Sequence, residues 1–411
     1  MRREEIIEYL QVQGLRPEMK ADTTKLMISK KLIRCETGDT LLAAIGGDEK
    51  KDAQLHSVVD AVHWHLQTKG ERGKLRLVLG RRDKRQEMDE LLNGIALMLN
   101  SLKILLEVQP EVDFVPCSLV IKDFNESHRK WTSFFKNGKE SGLPELTIKL
   151  SKLVGDESFR WYRNMTGNYW SGRVEGIQIC IVRNERQGTL NVGRSREKGD
   201  GKAREIFLAV AKGRKGPFDE SQSRLQEVAD VIREYVNLRA QANEELHKIK
   251  RECLLESRIL RNVVKLSANE GMLDPVCTEY PFQFPTLWAP QGKARFLDTL
   301  MHLGKIPWAV ELKEPQGSSP GQDYRHAITQ AVLYREFIRR AKELHGWFTH
   351  RSLVASQCCA AIAFPKMDST QNQQELLHHH QEAARAFGVE VIEIEHGWDC
   401  AQEVGRLSES E

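Results

Sequence analysis

Between Asp298 and Tyr334 the chain carries residues whose types and spacing suit phosphodiester hydrolysis. Two apolar runs, Arg295–Leu303 and Ile306–Lys313, flank a short Gly304-Lys305 turn, the pattern of a β-hairpin. Centring the turn there sets Asp298 opposite Glu311, within one residue of register, and directly opposed side chains have Cβ atoms roughly 5 Å apart. Two carboxylates at that separation repel one another unless a cation lies between them, and Mg²⁺ takes one or two carboxylates while keeping its waters. Lys313, two residues beyond Glu311, projects from the same sheet face. A hard metal beside a positioned ammonium is what in-line attack of water on a phosphodiester requires: one activates the nucleophile, both neutralise developing charge.

These residues need a strand pair to hold them and a helix to cover them. After the Gly/Pro/Ser-rich loop Pro315–Gly321, residues His326–Leu344 have helical spacing. Gln330, Tyr334, Phe337, Ala341 and Leu344 fall on one stripe, with Gln330 and Tyr334 as its polar members at the end nearer the hairpin. A Glu and a Lys two apart on a strand are commonly a solvated face. Glu311, however, lies between Trp308-Ala309-Val310 and Leu312, a run that reads as a buried strand, where a lone carboxylate is costly.

The ordered set of Asp298, hairpin, Glu311-Leu312-Lys313 as E-x-K, helix, and Gln330 to Tyr334 as Q-x-x-x-Y resembles the PD-(D/E)XK nuclease superfamily, in its RecB-like branch. Within it, the VELKEP wording behind a long amino-terminal region looks most like the Shedu antiphage nucleases. The superfamily resemblance covers about the last third of the chain. It implies a restriction-endonuclease-like mixed sheet flanked by helices, with Mg²⁺ or Mn²⁺ held by Asp298, Glu311 and the main-chain carbonyl of Leu312. Lys313 would orient the water or stabilise the transition state, and Gln330 and Tyr334 would position the metal assembly or the substrate phosphate. The Shedu resemblance implies antiphage defence, DNA as substrate and a homo-oligomer, dimer or tetramer, as the working form. One departure stands out: the further carboxylate such nucleases often carry has only Glu270 or Glu279 as candidates, in poor local patterns.

With 411 residues, 40% hydrophobic and 29% charged, the chain has the composition of a soluble protein of two or three domains. No apolar run is long enough for a membrane span, and MRREEIIEYL lacks the apolar core of a signal peptide. Eight scattered cysteines without a C-x-x-C pair fit a reducing compartment, so the expected location is cytoplasmic. From Leu266 onward 13 Lys and Arg face 19 Asp and Glu, a net of −6, which leaves +9 on the preceding 265 residues. An acidic catalytic region is poorly equipped to hold phosphates alone, so the grip on nucleic acid is expected upstream.

The expected class is multidomain α/β. Residues 1–70 read as a small helical region, and 71–216 as a mixed α/β domain with possible nucleic-acid-binding or sensing function. In the latter, KLRLVLG is a strand, Lys84–Leu106 a helix and Val112–Phe124 a second strand run. Gly80-Arg81-Arg82 sits where α/β folds often bind anions, without a phosphate-loop pattern. Phe159–Trp170, aromatic with Arg160 and Arg163 interleaved, fits either base stacking or a packed hairpin, the latter favoured. Ala203–Ala211 reads as a strand. The loop Gly193–Lys202 carries Arg194, Arg196, Lys198 and Lys202, and Arg214 and Lys215 lie just beyond; these are the candidate backbone-phosphate contacts.

Residues 217–265 contain an apolar three-four stripe without Pro or Gly from Ser221 to Leu260, broken by Arg239 and Glu256. That pattern suits a coiled coil that self-associates, or a long helix packed on its own chain. Residues 266–411 form the expected nuclease domain, ending in a buried strand at Ser356–Phe364, a helix at Gln371–Phe387 and a strand at Val389–Glu395. His378-His379-His380 point in different directions on that helix and do not make a metal triad. Two other functions fit the same sequence: a nuclease switched on by a cyclic oligonucleotide or other ligand bound in the amino-terminal region, and a catalytically silent nucleic-acid-binding scaffold.

Overall fold

The structure, a computed structural model, describes residues 1–18, 31–122, 143–163, 169–183, 189–192, 207–211, 216–218, 222–241, 251–277, 284–286, 295–313, 320–366 and 371–398. Helix α1 (Arg3–Val12) buries Ile6 and Leu10. These sit four residues apart, on one helix face, and pack with Ile33, Cys35, Leu42, Ala44 and Val78. Strands β1 (Ile33–Thr37) and β2 (Thr40–Ile45) form an antiparallel hairpin. Next come helix α2 (Lys51–Lys69), strand β3 (Arg72–Leu79), helix α3 (Arg85–Asn100), strand β4 (Leu105–Val112) and the short β5 (Val115–Pro116).

β2, β3 and β4 are parallel, with β1 and β5 antiparallel at the two edges. A parallel pair needs a crossover, and α2 and α3 supply the two crossovers. With helices on its faces β2 is buried along nearly its whole length, which is why TLLAAI shows no polar alternation. Within residues 1–70, expected as a small helical region, β1 and β2 therefore share one sheet with β3 and β4. β2 pairs with β3 from Thr40↔Lys74 to Ile45↔Leu79, across the expected boundary at 70/71. The expected helix at Lys84–Leu106 ends at Asn100, and the second strand is Leu105–Val112 rather than Val112–Phe124. The Leu105-Leu106 pair continues the apolar pattern of the helix but is drawn into the ladder beside β3.

Helix α4 (Glu145–Val154) precedes an antiparallel sheet of β6 (Phe159–Arg163), β7 (Tyr169–Val174), β8 (Ile177–Arg183), β9 (Thr189–Val192) and β10 (Gly216–Phe218). Helices α5 (Gln222–Gln241) and α6 (Arg251–Leu260) come next. Phe159, Trp161 and Trp170 lie in the core between this sheet, α4 and α5, so the aromatic run packs the hairpin. Residues 207–210 are helical rather than a strand, because Phe207 and Ala211, one helical turn apart, both enter that core. The apolar stripe of α5 enters it too, through Leu225, Val228, Ala229, Ile232, Tyr235 and Val236. For these residues of α5 the stripe packs on its own chain, one of the two uses expected for it; residues 242–250 of the stripe lie outside the described residues.

The β7–β8 turn shows why α6 lies where it does. Glu175 and Gly176 both have positive φ, at 50° and 80°. A Cβ on Gly176 would stand 2.2 Å from the carbonyl oxygen of Cys253 on α6, so the turn and the helix meet backbone to backbone. Arg258 of α6 and Arg261 just beyond its end hold the Glu175 carboxylate at 3.2 and 2.8 Å.

The remaining chain gives β11 (Leu266–Ala268), β12 (Gly271–Pro275), β13 (Phe284–Thr286), β14 (Arg295–Leu297), β15 (Thr299–Leu303) and β16 (Ile306–Leu312). Beyond them lie α7 (Pro320–Arg340), α8 (His345–His350), β17 (Cys359–Pro365), α9 (Gln371–Ala386) and β18 (Glu390–Ile394). The strand order β11-β12-β15-β16-β17-β18 makes a mixed sheet, antiparallel from β11 to β15 and parallel between β16 and β17. The turn between β15 and β16 is Gly304-Lys305, with Gly304 at φ +56°.

The backbone divides into two compact units: Met1–Arg129 with Thr286–Arg295 and Gly304–Glu393, and Lys130–Pro285 with Phe296–Leu303 and Ile394–Glu411. Residues 304–393 of the carboxy-terminal third group with the amino-terminal sheet, and residues 266–285 and 296–303 with the second unit. Among the described residues no helix is long and apolar enough to cross a membrane.

Candidate active site

β16 is buried at every position after Ile306, as expected for a strand with a parallel neighbour and a covering helix. Glu311 is 1% exposed and sits opposite Ile362 in the parallel ladder with β17. The Lys313 amide donates to the carbonyl of Ala363 at 3.0 Å, so the ladder carries on one step past the strand and fixes the backbone that bears the lysine. A carboxylate at this depth must be matched by a partner. The Lys313 ammonium lies 2.8 Å from Glu311 Oε1 and also donates to the main-chain carbonyl of Leu312 at 2.8 Å. One cationic group thus bridges the two oxygens of this strand expected to hold a metal. Both are hard donors, the kind Mg²⁺ and Mn²⁺ select, and they converge on a point that already holds positive charge.

α7 packs against β16 and β17 and supplies the second cluster. Gln330 Nε2 donates to the Tyr334 hydroxyl at 3.0 Å, one helical turn away, with both side chains buried. The expected start of this helix at His326 moves back to Pro320, and its regular part stops at Arg340, where Ala341 leaves helical geometry (ψ 76°).

Asp298 is half-buried at the bend between β14 and β15, where the chain passes from a two-stranded sheet into the six-stranded one. The structure therefore brings Glu311, Leu312 and Lys313 together, joins Gln330 to Tyr334, and places Asp298 on the segment running into the hairpin. Glu270 is exposed in the β11–β12 turn, and Glu279 lies outside the described residues. So do Arg194, Arg196, Lys198, Lys202, Arg214 and Lys215. Arg82, from the expected anion-binding stretch, is engaged within the protein: it donates to the Glu49 carbonyl, to Gln54 Oε1 and to Glu87.

A buried carboxylate absent from the expected site is Glu256 on α6, 6% exposed. Its one trace in the sequence is as a polar break in an apolar stripe. Burial, with the Glu256 charge second, pushes the hydroxyl of buried Tyr162 up to about 12.

No family model matches this chain, and no curated protein matches it.

Proposed function

We propose that this protein is a divalent-metal-dependent nuclease acting on DNA, with Glu311, Lys313 and the Leu312 carbonyl at the centre of its active site. The observation that carries the proposal is the buried Glu311 carboxylate and the Leu312 carbonyl sharing one ammonium, each at 2.8 Å. Two hard oxygen donors and a lysine at the end of a buried strand suit phosphoryl chemistry, and a purely structural pair gains little from such burial.

Asp298, on the segment that runs into the hairpin, is the second carboxylate in this proposal. Bound Mg²⁺ or Mn²⁺ would lower the pKa of a coordinated water and neutralise charge on the phosphate. Glu311, Asp298 and the Leu312 carbonyl would hold the ion, whereas Lys313 would turn its ammonium to the attacking water or to the developing phosphorane charge. Gln330 and Tyr334, already joined, would fix a phosphate oxygen or the water through the phenol. Antiphage defence and a homo-oligomeric working form belong to the same proposal and rest on the Shedu resemblance of the VELKEP segment, and a cytoplasmic setting belongs to it on the cysteine usage.

The test is cleavage of supercoiled and linear DNA with Mg²⁺ and with EDTA, comparing wild type with Glu311→Gln. Metal-dependent cutting that disappears in the variant supports the proposal. Wild-type protein that cuts neither substrate, or a variant that cuts normally, overturns it.

A further inference from the structure

A second cluster of ligand-type side chains lies in the unit that contains Glu311, on elements other than β16. His63 of α2 faces His379 and Glu382 of α9, and a ring nitrogen from each histidine and a carboxylate oxygen all lie within 4.8 Å of one another. The spacing explains the convergence. His379 and Glu382 are three apart and share a face of α9, with Nδ1 of the histidine 3.6 Å from Oε2 of the glutamate. His63 is buried on α2, a helix that packs directly on α9. The three consecutive histidines part company: His380 is buried and stacked on Tyr324 with ring centroids 4.0 Å apart, whereas exposed His378 and half-buried His379 both reach Glu382, at 3.5 and 3.6 Å, and His379 faces the ring of His63.

A separate observation shows where the imidazole nitrogens aim. The Nε2 of Gln67, one turn along α2 from His63, lies 3.2 Å from His63 Nε2 and 2.9 Å from His379 Nδ1. One exposed amide group thus reaches a ring nitrogen of each histidine, so the two nitrogens face a common point. That point lies beside the Glu382 carboxylate. Gln67 is exposed and can swing away without disturbing packing.

We infer that His63, His379 and Glu382 form a binding site for a borderline transition-metal dication of the Zn²⁺ type, which clamps α2 to α9. Two imidazoles and one carboxylate favour such ions, whereas Mg²⁺ prefers an all-oxygen shell. Ligand atoms around tetrahedral Zn²⁺ stand about 3.3 Å apart for bonds near 2.0 Å, so the cluster must close by roughly 1.5 Å. The moving parts are those at the surface: the side chains of His379 and Glu382 are 23% and 32% exposed, and His63 stays as the fixed member. Three protein ligands leave the remaining positions to water.

The probe is Co²⁺, which reports its own coordination by visible absorption. Untagged full-length protein stripped with chelator is titrated with Co²⁺, then with Zn²⁺ or millimolar Mg²⁺ as competitor. The expected result is a saturable tetrahedral-type Co²⁺ spectrum, displaced by Zn²⁺ and indifferent to Mg²⁺. His379→Gln and Glu382→Gln, both at surface positions, should each weaken binding at least tenfold. Gln67→Ala, which removes the amide lying against both rings, should tighten it several-fold. Absence of a saturable Co²⁺ spectrum, or one that survives both His379→Gln and Glu382→Gln in protein with native circular dichroism, overturns the site.

Discussion

Glu311 and Lys313, two residues apart at the end of one strand, meet side chain to side chain at 2.8 Å, although the carboxylate is 1% exposed and the lysine side chain 18%. Two residues along a strand restore the same face, so the pair is set by strand geometry and needs no loop to hold it. Lys313→Met withdraws this cation from a buried carboxylate. Stability should fall by about 2 kcal/mol, and Glu311→Gln in the same chain should recover most of it. Urea denaturation of the two single variants and the double variant measures the coupling. In the proposed nuclease, Lys313→Met should also slow cleavage on the order of 10²–10³-fold.

Tyr334→Phe removes the acceptor of the Gln330 amide inside the helix-covered core. The expected cost is about 1–2 kcal/mol. Cleavage should slow while DNA affinity, read by fluorescence anisotropy, holds. An unchanged unfolding midpoint would mean that the Gln330–Tyr334 contact contributes no net stability.

Ile232 lies fully buried in the core of α4, α5 and the antiparallel sheet. Ile232→Ala should lower stability by about 3 kcal/mol, and light scattering should give the same mass as wild type. A shift in mass without loss of stability would instead assign the α5 stripe to an interface between copies.

Tyr162 gives an alkaline signature. Its hydroxyl is raised from the usual 10.0 to about 12, by burial first and the Glu256 charge second. A raised acid favours the native state only while it stays protonated. The contribution is therefore whole below pH 10, where the unfolded tyrosine titrates, and is lost as pH climbs from 10 to 12. The loss amounts to about 3 kcal/mol at most. Comparing wild type with Tyr162→Phe by denaturation at pH 9 and pH 11 isolates it; parallel losses in the two proteins would remove Tyr162 as the cause.

Much of the candidate site was legible because its geometry is local. Gly304-Lys305 between two apolar runs, Glu311 two residues before Lys313, and Gln330 four before Tyr334 are relations of turn, strand and helix, and periodicity encodes them directly. The strand at Cys359–Pro365, the helix at Gln371–Ala386 and the strand at Glu390–Ile394 were readable on the same ground. Glu256 was not, since a single polar residue in an apolar stripe looks the same whether it faces water or a buried tyrosine.

By itself, then, the sequence determined which residues are apolar at which spacing, and with that the hairpin, the buried strand bearing Glu311 and the helix bearing Gln330 and Tyr334. Only the tertiary structure decided what each apolar face meets. It took residues 33–45 into the sheet with β3, sent the stripe of α5 into its own unit's core, and brought His63 beside His379 from a distant part of the chain. The physical reason is that burying an apolar face lowers free energy whichever surface covers it. The partner is chosen by packing and chain connectivity across hundreds of residues, which no local pattern records.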